Sequence, residues 1–400
     1  MTAAGTAADP AAGPAKPPPR ILHVITGLEH GGAERQLVAL LRHLPWPCEV
    51  VTLTGPGALG AELAARGVPV HQVPMRSNHD LRALPRLVRL MRRGRYDVVH
   101  THLYRACVFG RTAAWLAGVP RVVATEHSLG DGQLEGRPTG AGVRALYRVT
   151  ERFGSATVAV SPTVHGRLRA WGVPERRLTV IPNGIDPAAF AHRPDRRAAL
   201  RRRLGIGETE FVVGAVGRLV ATKRFDLLIE AFAATPSGRL LLAGDGPLRR
   251  PLEEQARRLG VASRVTFLGR TGDVAGVLAA MDLFAAPSDQ ETFGLGVLEA
   301  LAAGLPVLYT ACPALEDLPA AEAPDATRLP GRLADWQAAL AGHCAGPPAR
   351  RDVPAAVARY DIAGHVDRLM RLYRYGLDQH GLDDTPDRER TGGLPTRGMR

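Results

Sequence analysis

The chain has 400 residues, 45% of them hydrophobic, with 44 glycines, 32 prolines and a formal net charge of +12. This length favours two domains with separate cores, and no run reaches the ~18 apolar residues that a membrane-spanning helix needs. The charge comes mostly from arginine and favours anionic partners: phosphorylated ligands, nucleic acid or an acidic membrane surface.

The two ends and the cysteines indicate the setting of the chain. Residues 1–19 are rich in Ala, Pro and Gly without the apolar centre of a signal peptide, and together with residues 378–400 they are predicted to be disordered. The four cysteines are scattered and form no CxxC pair: Cys48, Cys107, Cys312 and Cys344. They fit a reducing compartment without structural zinc, so a cytoplasmic protein is expected.

Short apolar runs alternate with helical patterns through residues 20–183. The first run is ILHVIT at residues 21–26, followed by a glycine turn, GLEHGG, and a helical pattern over residues 33–43. Further predicted strands occupy residues 49–54, 70–73, 97–101, 121–125, 157–160 and 179–181. This alternation predicts a parallel sheet that is covered by helices on both faces.

The motif IPNGIDPAAF at residues 181–190 interrupts the alternation and is interpreted as a turn entering a linker. A second series fills residues 184–358, with predicted strands at 211–219, 240–243, 265–268, 282–286 and 306–308. We therefore predict an α/β chain of two Rossmann-like, doubly wound domains. Ligands of such sheets lie beyond the carboxyl ends of the strands, so the expected site is the cleft between the domains.

Residues 80–95 form an amphipathic pattern. Its apolar face consists of Leu81, Leu84, Leu87, Val88 and Met91. Its basic face consists of Arg82, Arg86, Arg89 and Arg93. Two interpretations stay open: a core helix with a solvated basic face, or a patch that is attracted to anionic lipid headgroups.

In the first half, several histidines lie in or after predicted strands. His127, next to Glu126, follows the strand at 121–125 and would face the cleft, although a structural role is equally compatible with one histidine. His100 and His102 have a spacing that suits a metal on a strand, but the sequence shows no third ligand nearby. No Asp-x-Asp pair is found to hold a metal–diphosphate, so a metal-free mechanism is preferred.

In the second half, Arg218 and Lys223 follow the strand at 211–219 within one loop. Two cations at the carboxyl end of a strand can neutralise a diphosphate, whereas either one alone would be an ordinary surface charge. The glycine turn in LLAGDGPLR, at residues 241–249, is weak evidence for a ligand site because a tight turn can have a purely structural need.

The stretch SDQETFGLGVLEA, residues 288–300, contains Glu291 and Glu299. On one helix they would stand ~12 Å apart along the axis, which is wider than the roughly 5–9.5 Å of glycosidase carboxyl pairs. A loop followed by a helix beginning near Phe293 or Gly294 is the preferred interpretation. The uncovered N–H groups at the start of this helix would suit a phosphate, and the two carboxylates would suit sugar hydroxyls. The alternative is that Glu291 is a solvated loop residue and Glu299 a surface residue of the helix, neither with a function.

Taken together, GGAER, IPNGID, GRLVATKRFDLLIEAF, LLAGDGPLR, VTFLGR and ETFGLGVLEALAAGLPVL resemble retaining glycosyltransferases of family 4, which have the GT-B fold. The match covers roughly residues 21–308, and E-x7-E combined with GRL-x3-K is more specific than either motif alone. The helical pattern within residues 359–377 is similar to the closing helix of that family, which crosses back to the first domain.

The resemblance implies roles for the matching positions. Arg218 and Lys223 would clamp the diphosphate, Glu291 and His127 would face the donor sugar, and Glu299 would bind the nucleotide ribose. Further donor contacts are implied for Gly32, Arg270, Phe293, Gly294 and Leu295. The implied reaction moves a sugar, with retained anomeric configuration, from a UDP- or GDP-linked donor to a glycan, a glycolipid or a polysaccharide precursor, without cofactor or metal.

The chain departs from the family after LAAGLPVL, where YTACPALEDLPAAEAPDATRLPG lacks the usual glycine pair. Tyr309, Thr310 and Cys312 are therefore candidates to line the donor-sugar pocket. The loop at residues 128–142 is expected near the acceptor, and a lipid-linked acceptor would suit the basic helix.

Three other functions are alternatives to glycosyl transfer. A non-catalytic relative could bind a nucleotide sugar with the same residues. An NAD-dependent oxidoreductase is disfavoured because no GxGxxG follows the first strand. Nucleic-acid binding ranks low because the arginines lack interleaved aromatic residues.

Overall fold

The computed structural model describes residues 17–29, 31–135, 137–346 and 349–377. The disorder predicted for residues 1–16 and 378–400 falls outside these ranges. The first half of the chain contains a seven-stranded parallel sheet in the order β3-β2-β1-β4-β5-β8-β9. Its strands are β1 (Ile21–Ile25), β2 (Cys48–Thr52), β3 (Val70–Gln72), β4 (Val98–His102), β5 (Arg121–Glu126), β8 (Ala156–Ala159) and β9 (Leu178–Val180).

Helices cover both faces of this sheet, as the alternating pattern predicts. They are α1 (Gly32–His43), α2 (Gly57–Ala65), α3 (Ala83–Gly94), α4 (Tyr104–Ala117), α5 (Ala141–Glu151) and α6 (Pro162–Ala170). Helix α6 begins with a strong signal, because Ser161 accepts a hydrogen bond from the N–H of Val164 at 3.2 Å and Pro162 occupies the first turn.

The second half contains a six-stranded parallel sheet in the order β12-β11-β10-β13-β14-β15. Its strands are β10 (Val212–Val216), β11 (Arg239–Ala243), β12 (Val265–Gly269), β13 (Leu283–Ala286), β14 (Val307–Tyr309) and β15 (Ala326–Arg328). Its helices are α7 (Pro187–Phe190), α8 (Pro194–Leu204), α9 (Phe225–Ala233), α10 (Arg249–Arg258), α11 (Val274–Ala280), α12 (Leu295–Ala302), α13 (Pro313–Glu316), α14 (Leu333–Ala345) and α15 (Ala355–Arg359). Both sheets therefore have the doubly wound order, which reverses beside β1 and beside β10.

The last helix, α16 (Ile362–Tyr375), returns to the first half. Its buried residues Val366, Leu369 and Leu372 belong to the same hydrophobic cluster as Ile21 and Leu37 of β1 and α1. The implied crossing of the closing helix is thus confirmed, and it covers one face of the first sheet.

The structure corrects one part of the amphipathic prediction. Helix α3 begins at Ala83, so Leu81 lies outside it and is 70% exposed instead of joining the apolar face. Leu87 and Met91 are buried as expected, and all four predicted arginines are exposed, with Arg82 at the N-cap.

Two sets of short strands have no counterpart among the predicted strands. Strand β15 lies at the sheet edge, and its three residues belong to the segment that departs from the family. Strands β6 (Gln133–Leu134) and β7 (Arg137–Pro138) form a small antiparallel hairpin within the loop that was expected near the acceptor. Such short strands lack the alternating run of residues by which a strand is recognised.

Among the described residues, no helix has the length and apolar character that crossing a membrane requires.

Candidate active site

The first group of candidate residues lies where the order of the second sheet reverses. The loop after β10 carries Arg218 and Lys223, and the loop after β13 carries Glu291. Because β10 and β13 are hydrogen-bonded neighbours, their carboxyl ends bring these side chains to one edge. Lys223 Nζ donates a hydrogen bond to Glu291 Oε1. Arg218 is exposed, and among the described residues its side chain makes no hydrogen bond or ion pair.

The donor loop, residues 287–294, is held against the rest of this wall. The N–H of Asp289 donates to the carbonyl of Thr222 at 3.1 Å, which ties the loop to the turn that carries Lys223. Gly294 has a φ of 104°, and a Cβ there would lie 2.4 Å from Cys312 Sγ. Only glycine fits both constraints.

Cys312 supports the donor loop from behind. It is fully buried, and its thiol lies 3.6 Å from the carbonyl oxygen of Phe293, which also accepts from the N–H of Ala314. Phe293 is itself buried and packs edge-on against Tyr360. The side chains of Phe293 and Cys312 therefore hold the shape of the loop, and backbone contacts of the loop with a ligand stay a prediction.

Two helix N-termini meet across the cleft. Helix α12 begins at Leu295 after Gly294, and helix α1 begins at Gly32 after Gly31. A Cβ on Gly32 would lie 3.9 Å from Leu295 Cδ1, so these two ends are in contact distance. The first N–H groups of a helix have no partner within it and carry a partial positive charge, which suits an anionic group bound between them.

Two glutamates of the cleft hold their protons unusually strongly. Burial raises the pKa of Glu299, on α12, to about 7, while the charge of Arg35 acts in the opposite direction. Burial likewise raises the pKa of Glu34, in the first turn of α1, to about 7, and the charge of Arg218 is among those that lower it. The charge of Arg218 therefore influences Glu34 on the opposite side of the cleft.

Arg270 lies at the margin of this region. It follows β12, is exposed, and forms an ion pair of 3.4 Å with Asp245. The neighbouring glycine turn has a structural cause, because a Cβ on Gly244 or Gly246 would collide with the carbonyl oxygens of Gly217 and Leu219.

His127 lies on the opposite side of the cleft, directly after β5, and is 8% exposed. Its carbonyl oxygen accepts a hydrogen bond of 2.7 Å from the Thr292 hydroxyl of the donor loop. Its Nε2 lies 3.2 Å from Nδ1 of His102, and burial lowers its pKa to about 3. His127 is therefore a neutral imidazole beside the donor loop.

Several contacts between the halves were missed from the sequence. The Ser161 hydroxyl donates to the carbonyl of Thr292 at 2.6 Å. Arg167 donates to the carbonyl of Leu129 within its own half at 2.9 Å and lies 3.5 Å from the carbonyl oxygen of Glu291 in the other half. Arg35 donates to the carbonyl of Thr271 at 2.7 Å. The signal for Ser161 was its Ser-Pro helix start, but nothing local indicates that the same hydroxyl reaches the other half.

The two sides of the cleft are named after the half of the chain that forms each of them. The C-terminal wall comprises Arg218, Lys223, the donor loop, Glu299 and the first turn of α12. The N-terminal wall comprises the first turn of α1, His127, Ser161 and the hairpin β6–β7. The structure brings the residues to which the resemblance assigned roles, except the marginal Arg270, to these two walls, and their individual roles stay predictions. Cys312, a candidate to line the sugar pocket, lies behind the donor loop instead.

Two family models match the chain: "Glycosyltransferase Family 4" over residues 30–189 and "Glycosyl transferases group 1" over residues 196–323. Together they cover well over half of it. The chain belongs to the family-4 glycosyltransferases.

The relatives of this glycosyltransferase chain include two bacterial enzymes. It is 30% identical, over 58% of its length, to the UDP-Gal:alpha-D-GlcNAc-diphosphoundecaprenol alpha-1,3-galactosyltransferase of Escherichia coli. It is 31% identical, over 75% of its length, to a D-inositol 3-phosphate glycosyltransferase of Mycobacterium tuberculosis. The matched regions span 62% and 65% of these relatives, respectively.

Solved structures establish the architecture. Anabaena Alr3699/HepE, solved in complex with UDP and glucose, has 25% sequence identity and a TM-score of 0.78, with 89% of this chain and 99% of that chain covered. WaaG, a glycosyltransferase involved in lipopolysaccharide biosynthesis, has 22% identity and a TM-score of 0.61, with 90% and 98% covered. The predicted GT-B fold is confirmed.

Proposed function

We propose that this protein transfers a sugar from a UDP-sugar to a lipid-linked glycan, with retention of the anomeric configuration. The observation that carries the proposal is the convergence of Arg218, Lys223 and the first turn of α12 beside Glu291. Support for the donor comes from the relatives, since HepE was solved with UDP-glucose and the Escherichia coli relative is named for a UDP-Gal donor.

The C-terminal wall offers each part of a nucleotide sugar a matching group. The diphosphate would lie between Arg218, Lys223 and the N–H groups at the start of α12. The ribose hydroxyls would donate to Glu299, and sugar hydroxyls would donate to Glu291. Donor binding would thus redirect Lys223 from Glu291 towards a phosphate, so the ion pair of the free protein holds both groups ready.

The proposed reaction is a front-face displacement. The acceptor hydroxyl oxygen forms a bond to the anomeric carbon on the face from which the diphosphate leaves, and the bond from carbon to phosphate oxygen breaks. The acceptor proton moves to that phosphate oxygen. The protein holds the partners in place and stabilises the growing negative charge through Arg218 and Lys223, so we propose no metal ion.

We propose a lipid-linked acceptor because exposed apolar and basic side chains share the outer face of the first half. Helix α3 exposes its arginines, and Leu81, Trp115 and Leu116 beside it are 70%, 56% and 40% exposed. Arg92 donates to the carbonyl of Leu116 at 2.9 Å, which joins α3 to the end of α4. Cations with neighbouring apolar side chains are typical of proteins that lie on an anionic membrane surface.

The donor is tested by thermal unfolding with UDP-, GDP-, ADP- and dTDP-linked sugars. Binding to the native state alone stabilises it by RT ln(1 + [L]/Kd), so we expect the largest rise in Tm with a UDP-sugar. Product formation on a polyprenyl-diphosphate sugar, with the new linkage read by the anomeric ¹H coupling, tests transfer and retention. An inverted product would contradict the mechanism, and binding without transfer would favour a non-catalytic relative.

The membrane contact is tested by co-sedimentation with vesicles of phosphatidylglycerol at low and high salt. We expect Arg86, Arg89 and Arg93 changed together to Gln to weaken binding. The matched control changes Arg250, Arg257 and Arg258 to Gln, which removes the same charge from the exposed face of α10. Equal losses in both variants, or no vesicle binding at any salt concentration, would remove the proposed contact.

A further inference from the structure

A row of histidines continues from His127 into the core beneath α16. His23 lies on β1, and His100 and His102 lie on the neighbouring strand β4, where His23 and His100 are register partners. His23 and His100 are fully buried and His102 is 2% exposed. Because alternate residues of a strand point to the same side, these three side chains share the sheet face that α16 covers.

Three of these imidazoles form a chain of nitrogen–nitrogen contacts. His127 Nε2 lies 3.2 Å from His102 Nδ1, and His102 Nε2 lies 3.1 Å from His23 Nδ1. The two end nitrogens, His127 Nδ1 and His23 Nε2, are buried and have no hydrogen-bond partner among the described residues. His100 stands outside the chain, because its nitrogens bond to Tyr373 and Thr125 at 2.5 and 2.7 Å.

All three imidazoles of the chain are neutral at physiological pH. Burial lowers the pKa of His23 and His127 to about 3, and it lowers the pKa of His102 well below its ordinary value. A neutral imidazole carries one N–H and one bare nitrogen. Each nitrogen–nitrogen contact therefore needs one proton, and only two arrangements satisfy both contacts.

In the first arrangement the proton lies on Nδ1 of each histidine, so every N–H donates towards the cleft and His127 Nδ1–H is the outermost donor. In the second the proton lies on Nε2 of each histidine, so His23 keeps a buried N–H that lacks an acceptor. Each arrangement therefore leaves one end N–H without a partner in the described chain, on His127 Nδ1 in the first and on His23 Nε2 in the second. His23 is fully buried, whereas His127 lies at the cleft and is 8% exposed, so only the N–H of His127 can reach an oxygen of a bound ligand. The first arrangement is therefore favoured.

We propose that His102 and His23 are positioning residues that hold His127 as its Nδ1–H tautomer, which donates a hydrogen bond to an oxygen of the transferred sugar. The proposal rests on the proposed function in placing that sugar beside His127. It also gives a reason for the buried histidine of β1, whose other residues are all apolar.

A metal ion is the competing explanation, since nitrogens of His23, His100 and His102 lie within 4.8 Å of one another. No carboxylate or thiolate joins this group within the described chain to offset a buried double charge. His100 is moreover already bonded through both nitrogens.

The direct test is ¹⁵N NMR of the full chain labelled at histidine, with long-range ¹H–¹⁵N correlations and with His127→Gln and His102→Asn variants for assignment. We expect protonated Nδ1 and bare Nε2 on both His127 and His102 in the ligand-free protein. A proton on Nε2 of His127 would overturn the proposal. Stoichiometric zinc in the purified protein, together with metal-shifted nitrogens, would overturn it in favour of a metal site.

The kinetic test compares three variants with measured Tm values. His102→Leu removes the donor to His127 and should lower kcat/KM for the UDP-sugar by about tenfold or more, the scale of one unsatisfied hydrogen bond. His102→Asn restores an N–H near the place of Nδ1 and should recover most of the loss. His100→Leu is the matched control, because it removes a buried histidine that packs against His102 on the same strand but contributes no hydrogen bond to the chain.

Wild-type kcat/KM in folded His102→Leu would overturn the positioning role, and so would an equal loss in His100→Leu. If no donor is turned over by the wild-type protein, the proposed function fails. The NMR result then still decides the tautomer of His127, so the two failures are distinguishable.

Discussion

The two walls of the cleft are built from different chemistry. The C-terminal wall holds formal charges, with Lys223 and Glu291 paired and Arg218 left exposed. The N-terminal wall presents a neutral imidazole, His127, backed by two more neutral imidazoles in the core. One wall is suited to hold an anionic leaving group by charge, and the other to orient an uncharged sugar by hydrogen bonds.

Because of this difference, substitutions in the two walls should lower activity in different ways. A charge lost from the C-terminal wall removes stabilisation that grows as the diphosphate leaves, so it should mainly lower kcat. A hydrogen bond lost from the N-terminal wall changes orientation and leaves the charge untouched. Substitutions that lower kcat in one wall and raise KM in the other would separate the roles of the two walls, and identical effects would merge them.

The largest effect is expected for Lys223→Met, which keeps the length of the side chain and removes its charge. Losing one preorganised charge partner of the leaving group costs ~3 kcal/mol, so kcat should fall by roughly 10²–10³-fold. Steady-state kinetics with the UDP-sugar measure it, and Arg257→Met, on the exposed end of α10, is the control. Near-normal turnover would contradict the assignment of Lys223 to the diphosphate.

Glu291→Gln should have the next largest effect. The amide keeps the shape but removes the charge that pairs with Lys223 and accepts from sugar hydroxyls, so we expect a loss of about tenfold to a hundredfold in kcat/KM. Affinity for UDP alone, measured by calorimetry, should change little because UDP lacks the transferred sugar that would contact Glu291. An equal loss of UDP affinity would show that Glu291 contributes to binding of the diphosphate and not of the transferred sugar.

Donor binding should strengthen as pH rises from 6 to 8. The pKa of Glu299 is raised to about 7, so its carboxyl group is mostly neutral at pH 6 and mostly ionised at pH 8. Only the ionised form can accept from both ribose hydroxyls without giving up an oxygen to its own proton. The Kd for the UDP-sugar should therefore fall by up to about tenfold across this range.

Glu299→Gln is the control for the pH effect, because it leaves Glu34, whose pKa is also near 7, unchanged. The variant should bind more weakly at pH 8 and lose most of the pH dependence. If the full dependence persists in Glu299→Gln, Glu34 or another group carries it and the ribose contact is wrong.

The smallest effect is expected for the hydrogen bonds that join the two walls. Thr292→Val removes the hydroxyl that donates to the carbonyl of His127, and Ser161→Ala removes the donor to the carbonyl of Thr292. Thr292→Val loses about one hydrogen bond, so we expect KM for the donor to rise about two- to fivefold with kcat almost unchanged. Ser161→Ala should raise KM similarly, but it also removes the N-cap of α6 and should therefore lower Tm as well. A large fall in kcat would instead show that these hydrogen bonds between the walls are needed to position the catalytic groups.

How far the sequence predicts this molecule follows the same division. The GT-B architecture and the C-terminal wall could be predicted because their signals are local: Arg218 and Lys223 share one loop, and Glu291 and Glu299 share one short stretch. The row formed by His23, His102 and His127 could not, because it combines three strands that only the sheet order makes neighbours.

Other residues escaped the sequence for physical reasons. Strand β15 is short and lies at the sheet edge, so burial imposes no alternating pattern on it. The net charge suggested a basic surface, yet Arg111 and Arg201 are buried, one beneath Tyr147 and the other bonded to Asp282. Leu81 matched a helical spacing that the helix start at Ala83 cut short.

The most direct test of nucleotide-sugar binding by the C-terminal wall is a crystal structure of the protein soaked with a UDP-sugar. We expect diphosphate oxygens within hydrogen-bond distance of Arg218, Lys223 and the first N–H groups of α12, with the ribose on Glu299. A nucleotide sugar bound elsewhere, with these groups left untouched, would contradict this expectation.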